Sequence, residues 1–580
     1  MPSEIQWLEW GRESFEKART TGRPILLDIT GSWCHWCHVM DKTSYSDPVI
    51  IDTVSKHFVP VRVDTDKRPD VNRRYNMGGW PTTAFLDGEG KVITGGTYIP
   101  PQQLREVLRS VLDYYTKSKG KARSKLESTP LPKATGEPLT ERIGRDIATS
   151  IAVNFDIDYG GFGFEPKFPN TDALEYSLLR YRYVGEKEML TVVNRTLDKM
   201  ARGGVYDQVE KGFFRYSTTR DWSIPHFEKM AEDNARLLGV YIRAYQVTAN
   251  PFYREVAEGI VSYVRNNLLN PAGDGFYGSQ DADEEYYKLG LEERKKKTAP
   301  SIDRTLYANY NAEFVSSLLL ASPVLDEPGL GKISLKALER ITKEAGGPAG
   351  LSHYWDAGAS APSGFLVDHA WSVNALLDAY EFTGEWKYVE AAEKLTETSL
   401  RTLYDREDGG FYDIPESTSV LGELLVRDKP MDENSNMALA LSRLSWTVDK
   451  ESYMDMAKRT LDLYMNDHEK YGVMAATYAI ALDRLLNGAV GITIVGSSRT
   501  KEFKAFKSSA LKMYSGRRSV LYLDKTKDTD RIKKQSYDAS DSTKAYVCVG
   551  KVCGPPLKSP SQIQESLSQL LTTAPLATGN

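Results

Sequence analysis

Ser-Trp-Cys-His-Trp-Cys-His-Val-Met, residues 32–40, holds two of the four cysteines and two of the seven histidines in 580 residues. The stretch follows RPILLDIT, a strand pattern, and opens a helical pattern, so Cys34 falls at a helix N-terminus. There unpaired N–H groups and the helix dipole favour a thiolate over a thiol. His35, between the cysteines, would lower the pKa of the attacking thiol further and make the disulfide more oxidising. Cys37, one turn on, is placed to resolve a mixed disulfide. Metal binding is the rival, since the two cysteines and His38 supply three ligands. No fourth ligand is nearby in sequence, and the strand-to-helix setting favours redox chemistry. Gly-Gly-Trp-Pro, ending at Pro81 just before the strand-like TTAFLD, adds a second feature. A cis proline there would lie against the cysteines and leave backbone edges for an extended partner, whereas an ordinary trans edge proline would do neither.

Around this stretch, residues 1–118 read as a βαβ unit followed by ββα, with a hairpin around Gly88–Gly90. A charged, apolar-poor run makes 119–138 a solvated linker. From 139 to 488 the pattern is helical, with twelve segments centred near Ile147, Leu178, Thr196, Leu238, Ile260, Phe314, Leu338, Leu376, Leu395, Leu441, Leu461 and Ile480. An internal repeat runs through them: Ala244, Tyr245, Thr248, Tyr253, Ala257 and Phe276 recur 135 residues later as Ala379, Tyr380, Thr383, Tyr388, Ala392 and Phe411. Tyr453 and Ala457 begin a partial third copy. Twelve helices with repetition at the level of the hairpin suggest a closed toroid of six hairpins, because each hairpin must bury one face against its neighbours. Residues 489–580 return to strand and helix signals, a small α/β region.

The expected fold class is therefore multidomain: an N-terminal α/β domain carrying the Cys-x-x-Cys turn, an all-α toroid and a small α/β region. Lys plus Arg 74 against Asp plus Glu 79 gives a net charge of −5, which excludes general attraction to nucleic acid or anionic lipid. No run approaches the roughly 20 apolar residues of a membrane span. Four cysteines form no extracellular disulfide framework, and the chain reads as cytoplasmic. Neither a cofactor nor a metal is implied.

WCHWCHVM, FVPVRVDTDKRPDV, GGWP and GGTYIPP resemble motifs of the spermatogenesis-associated protein 20-like family. The resemblance continues through GGFGFEPKFP, GGVYDQVEKGFFRYS, IPHFEKM, GSQDADEE, LLVRDKP and VCVGKVCGPP. It implies a thioredoxin-fold domain followed by a six-hairpin glycosidase-like α/α barrel, and leaves the reaction open. After Asp283 this chain departs from the family pattern, running through EEYYKLGLEERKKK where members carry a longer insertion.

Candidate barrel chemistry comes from the repeat. Asp368, His369 and Ala370 align with Asp233, Asn234 and Ala235, and Asn311 and Asn436 sit in similar helix starts. Such residues serve as helix caps, or together turn dipoles and donors toward one mouth of the toroid, a surface for a polyhydroxylated ligand. Glu165, Tyr206, Asp207, Arg215 and Trp371 are expected around that mouth with them. His226 and His369 are the proton-transfer candidates of an epimerase; Glu228, Asp281 and Asp283 are the carboxylates of a glycosidase. The alternatives are a hydrogen-bonded core histidine and loop carboxylates that cap amides. Cys548 and Cys553 read either as reduced cysteines or as a local disulfide.

Three functions follow. The first is a thiol-disulfide oxidoreductase acting on a disulfide-bearing protein or small thiol, fused to a carbohydrate-type barrel. The second is a sugar epimerase or glycosidase with a redox-sensitive scaffold. The third is a non-catalytic glycan or protein binding module.

Overall fold

The computed structural model describes residues 4–122, 131–344, 348–356, 361–417, 420–514, 516–538 and 542–573. Four N-terminal strands, β1 (Ile25–Thr30), β2 (Val59–Asp64), β3 (Thr82–Leu86) and β4 (Val92–Gly96), form one sheet in the order β2-β1-β3-β4. β1 runs parallel to β2 and antiparallel to β3, and β3 is antiparallel to β4. Side chains alternate across β1 and both faces are covered. Leu26 packs under helices His35–Lys42, Pro48–His57 and Pro101–Lys117, in a core with Met40, Val54 and Leu108. Ile25, Leu27 and Ile29 pack under helices Arg12–Thr21 and Pro69–Tyr75 with Phe15, Val71 and Tyr75. This second core continues into Phe365, Ile414 and Leu424 of the helical region, so the two modules share buried apolar surface.

Six inner helices form a closed ring: Thr171–Val184, Ala231–Thr248, Ala308–Val324, Leu366–Thr383, Met431–Val448 and Ala476–Asn487, each packed on the next and the last on the first. Outside them lie Glu141–Asn154, Lys187–Arg202, Pro251–Tyr263, Pro328–Glu344, Lys387–Thr402 and Glu451–Asp462. The outer helices are amphipathic: Lys187–Arg202 buries Met189, Val192, Val193, Thr196, Leu197 and Met200, one stripe at helical spacing. Inner helices are buried on nearly every side, as in Leu366–Thr383, where Ala370, Ala375 and Ala379 admit close neighbours.

At the C-terminus, β5 (Val490–Val495), β6 (Arg518–Leu523), β7 (Lys544–Val549) and β8 (Val552–Cys553) form a sheet in the order β6-β5-β7-β8. β5 is parallel to β6 and antiparallel to β7. With helices Lys501–Lys512, Thr529–Lys534 and Gln562–Thr573 interspersed, order and connectivity repeat those of the N-terminal sheet. Cys34, the N-cap of the helix after β1, has as its counterpart here Thr500, which caps the helix after β5 by accepting from the Phe503 amide at 3.2 Å. Cys548 and Cys553, opposite one another on β7 and β8, form a disulfide.

Candidate functional site

Cys34 is the N-cap of His35–Lys42, and its Sγ accepts from the Cys37 amide at 3.2 Å. The two cysteines are joined as a disulfide, and the Trp80–Pro81 peptide is cis. Sequence reasoning expected an open docking edge here. Instead the barrel lies over it. Cys34 and Cys37, each 3% exposed, make one apolar cluster with Trp33 and Met230, the residue before the second inner helix, and Trp80 packs against it. Arg215 lies over the Trp33 ring at 4.3 Å and the Trp80 ring at 5.0 Å. His35 and Trp36 stay exposed. His38 turns to Asp281 of the barrel, 3.2 Å from Nε2 to the nearer carboxylate oxygen. That hydrogen bond outweighs burial and raises the His38 pKa.

Polar contacts fix the docking. Asp66, after β2, accepts from Trp33 Nε1 at 2.6 Å and from Tyr310 OH at 3.1 Å. Burial, with Asp64 close by, pushes its carboxyl up to about 7. His353 faces two acceptors, the Asp368 carboxylate at 2.9 Å from Nδ1 and the Asp66 carbonyl at 2.7 Å from Nε2. Both nitrogens must donate, so the geometry requires an imidazolium. Burial opposes that charge, and Asp368 outweighs it, raising the pKa. Arg74 reaches Asp413 at 2.8 Å, and Arg73 pairs with Glu433.

Between this face and the inner helices lies a cavity of about 380 Å³. A second, of about 180 Å³, continues down the barrel axis toward the C-terminal region at Tyr514 and Arg518. Asp172, Arg236, Trp371, Asn436 and Thr477 line both. Of the residues expected at the mouth, Arg215, Asp233, Trp371 and Asn436 line the upper cavity. Arg236 crosses the shared wall to Glu313, Nε to Oε2 2.7 Å. Burial still lifts Glu313 to about 8.

The other expected residues are held elsewhere. Asn234 and Asn311 are clamps: their Oδ1 atoms accept from the Phe213 and Phe276 amides at 2.8 and 2.7 Å. Their Nδ2 atoms return bonds to the carbonyls of the same phenylalanines. Asn434 does the same for Phe411. His369 is the fourth clamp, fully buried, with Nε2 accepting from the Leu351 amide at 3.2 Å and Nδ1 2.9 Å from Ser399 Oγ. Burial drops its pKa to about 4, so the ring is neutral. A Cβ on Gly350 would stand 2.1 Å from that Nε2, which explains the glycine.

Asp207 is buried on Lys229 and Arg294, at 2.8 and 2.7 Å. Arg294 ends the short helix Leu291–Arg294 after Asp283. Tyr206 packs on Phe213, away from the axis. Asp368 is committed to His353. Glu228 pairs with Arg215 at 3.3 Å and lies 3.0 Å from His226 Nδ1. Asp283 caps the helix Glu284–Tyr287, and Glu165, exposed, accepts from the Arg220 amide. Thus none of His226, Glu228, Asp281, Asp283 and His369 lines either cavity.

The missed residues had a signal. An aromatic-Asp pair followed by Gly-Phe recurs at Phe155-Asp156/Gly161-Phe162, Tyr206-Asp207/Gly212-Phe213 and Tyr404-Asp405/Gly410-Phe411. Each aspartate holds a buried lysine, Lys167, Lys229 or Lys429. Five residues beyond Lys229 and Lys429 stand Asn234 and Asn434, and the cavity-facing positions follow from these: one residue before the clamp at Asp233, Tyr310 and Glu433, two after it at Arg236, Trp371 and Asn436. Among the described residues, Asp146, His468 and Glu469 are the one group able to hold a metal ion, and they lie apart from these cavities.

A family model of DsbH-type thioredoxin domains, described as a protein of unknown function, DUF255, matches residues 1–130. Spermatogenesis-associated protein 20 of Homo sapiens is 25% identical over 710 aligned residues, covering 97% of this chain and 90% of that one. Over nearly its whole length the chain is similar to spermatogenesis-associated protein 20. The alignment is longer than the chain, so this relative carries segments absent here. In the N-terminal domain, a disulfide bond reductase, DsbH, of Chlamydia pneumoniae is 29% identical over 106 residues, 15% of this chain and 60% of that one. Among solved structures, a cellobiose 2-epimerase of Spirochaeta thermophila aligns with 60% of this chain and 97% of its own, at 13% identity and a TM-score of 0.47. No helix among the described residues is long and apolar enough to cross a membrane.

Proposed function

We propose that this chain is a thiol-disulfide oxidoreductase in which Cys34 attacks and Cys37 resolves, with the barrel seated over the dithiol as a binding module that governs access. The observation that carries the reading is the position of Cys34: its Sγ caps a helix and accepts from the Cys37 amide, an arrangement that stabilises a thiolate. In the reduced protein the Cys34 thiolate attacks one sulfur of a substrate disulfide, the substrate S–S bond breaks, and the departing thiolate takes a proton. Cys37, deprotonated in turn, attacks Cys34 Sγ and releases the second substrate thiol. Two electrons pass to the substrate, and the Cys34–Cys37 disulfide remains until an external dithiol reduces it. His38, one residue beyond Cys37, is held toward its charged form by Asp281. In the cytoplasm, where thiol pools would keep the pair reduced, the direction is reduction of disulfide-bearing proteins or small disulfides. The likeness to a named disulfide bond reductase supports this reading. A binding role for the barrel fits the clamps better than epimerase chemistry on His226 or His369, because neither histidine faces the cavities.

The test is insulin reduction with dithiothreitol as the electron source. Wild type should turn over, Cys34→Ser should abolish turnover, and Cys37→Ser should accumulate a mixed disulfide. Turnover that survives Cys34→Ser would overturn the proposal.

A further inference from the structure

We infer that the upper cavity, between the dithiol face and the inner helices, is a binding site for a small hydroxylated organic cation of the amino-sugar class. The inference does not depend on the dithiol chemistry proposed above. Three arginines line the cavity, and each is already engaged: Arg73 by Glu433, Arg215 by Glu228, and Arg236 by Glu232 and Glu313. An incoming anion finds no spare cation. Four lining carboxylates are differently placed. Asp66 is held only by the neutral donors Trp33 and Tyr310, and Asp172 by the hydroxyl of Thr477 at 2.5 Å. Among the described residues, Asp233 and Asp432 have neither an ion pair nor a hydrogen bond. The cavity is therefore short of positive charge.

A second observation points the same way. Asn309, 8% exposed, lines this cavity, and its Oδ1 is buried without a hydrogen-bond partner. An orphaned acceptor requires a donor, and leaving it unmet is costly. Carboxylates and this amide oxygen together call for a ligand rich in N–H and O–H groups. The walls carry Trp33, Trp80 and Trp371, whose rings already lie under Arg215 and Arg236, together with Tyr310 and Phe168, aromatic surface that suits the apolar face of a sugar ring. The volume, about 380 Å³, suits a ligand of this size. Asp233, pushed up to about 7 by burial and by Glu232 beside it, would regain its ordinary ionisation when an ammonium arrived.

Calorimetry and thermal shift on the oxidised full-length chain at neutral pH test the site with three probes of nearly one shape: D-glucosamine, N-acetyl-D-glucosamine and D-glucuronate. Glucosamine should bind and raise the melting temperature, and the neutral N-acetyl compound should bind at least ~10-fold more weakly, with glucuronate weaker still. Asp233→Asn and Asn309→Ala should each weaken glucosamine binding several-fold while melting in the absence of ligand stays near wild type. Asp432→Asn, exposed at the rim, provides the same readout should either buried variant fail to fold. Absence of glucosamine binding, equal or tighter binding of N-acetylglucosamine or glucuronate, or indifference of glucosamine affinity to Asp233→Asn and Asp432→Asn would each overturn the inference.

Discussion

Replacing His369 by Asn, the residue that the other clamps carry, separates a structural histidine from a ligand-facing one. At neutral pH the substitution removes the contact with Ser399 and leaves a shorter side chain to meet the Leu351 amide, a cost of about 1–2 kcal/mol. Ser399 keeps its bond to the Leu395 carbonyl, so no new orphan arises there. Acid changes the balance. In the folded chain His369 has a pKa of about 4 because burial disfavours its charge, against about 6.5 for an unfolded histidine. A depressed folded pKa means that the unfolded chain takes up the proton first. The contribution of the neutral ring is complete above about 6.5 and is lost as pH falls toward 4. By pH 5 the linkage removes roughly 2 kcal/mol from wild type and nothing from the variant. His353 titrates in both proteins and cancels in the difference. Urea unfolding at pH 7.5 and pH 5, followed by circular dichroism, should show the variant less stable at the higher pH and level with wild type or above it at the lower. A stability gap that stays the same at both pH values would refute the reasoning.

Met230→Ala should uncover the disulfide and speed its reduction by dithiothreitol several-fold, read by trapping free thiols; an unchanged rate would mean that Met230 does not govern access. Asp207→Asn should destabilise the barrel by about 3–5 kcal/mol in urea, because Lys229 and Arg294 would lose their shared buried partner. Cys548→Ser should leave insulin reduction at the wild-type rate, since the pair lies on the far α/β region; a marked loss in a folded variant would show that this disulfide exchanges with Cys34.

Much of this molecule is legible in the chain because its signals are local. The strand before Cys34, the helix it caps and the period of the outer helices each depend on a few consecutive residues and on which face is apolar. The repeat offset of 135 residues likewise carried the pairing of Asp368 with Asp233 and of His369 with Asn234. It did not carry orientation. Neighbours on a helix point about 100° apart, so Asp233 faces the cavity while Asn234 turns back to clamp Phe213. Alignment alone could not tell a ligand-facing residue from a clamp.

By itself, then, the sequence determined a redox-type cysteine turn, a toroid of paired helices and a final α/β region. Only the tertiary structure decided that the dithiol face closes on the barrel, that Asp281 serves His38 rather than a sugar, and that Arg294 reaches back to Asp207. These partners lie 243 and 87 residues apart along the chain. The physical reason is that a buried charge takes whichever opposite charge the packing of apolar faces brings within reach, and no local pattern encodes that choice.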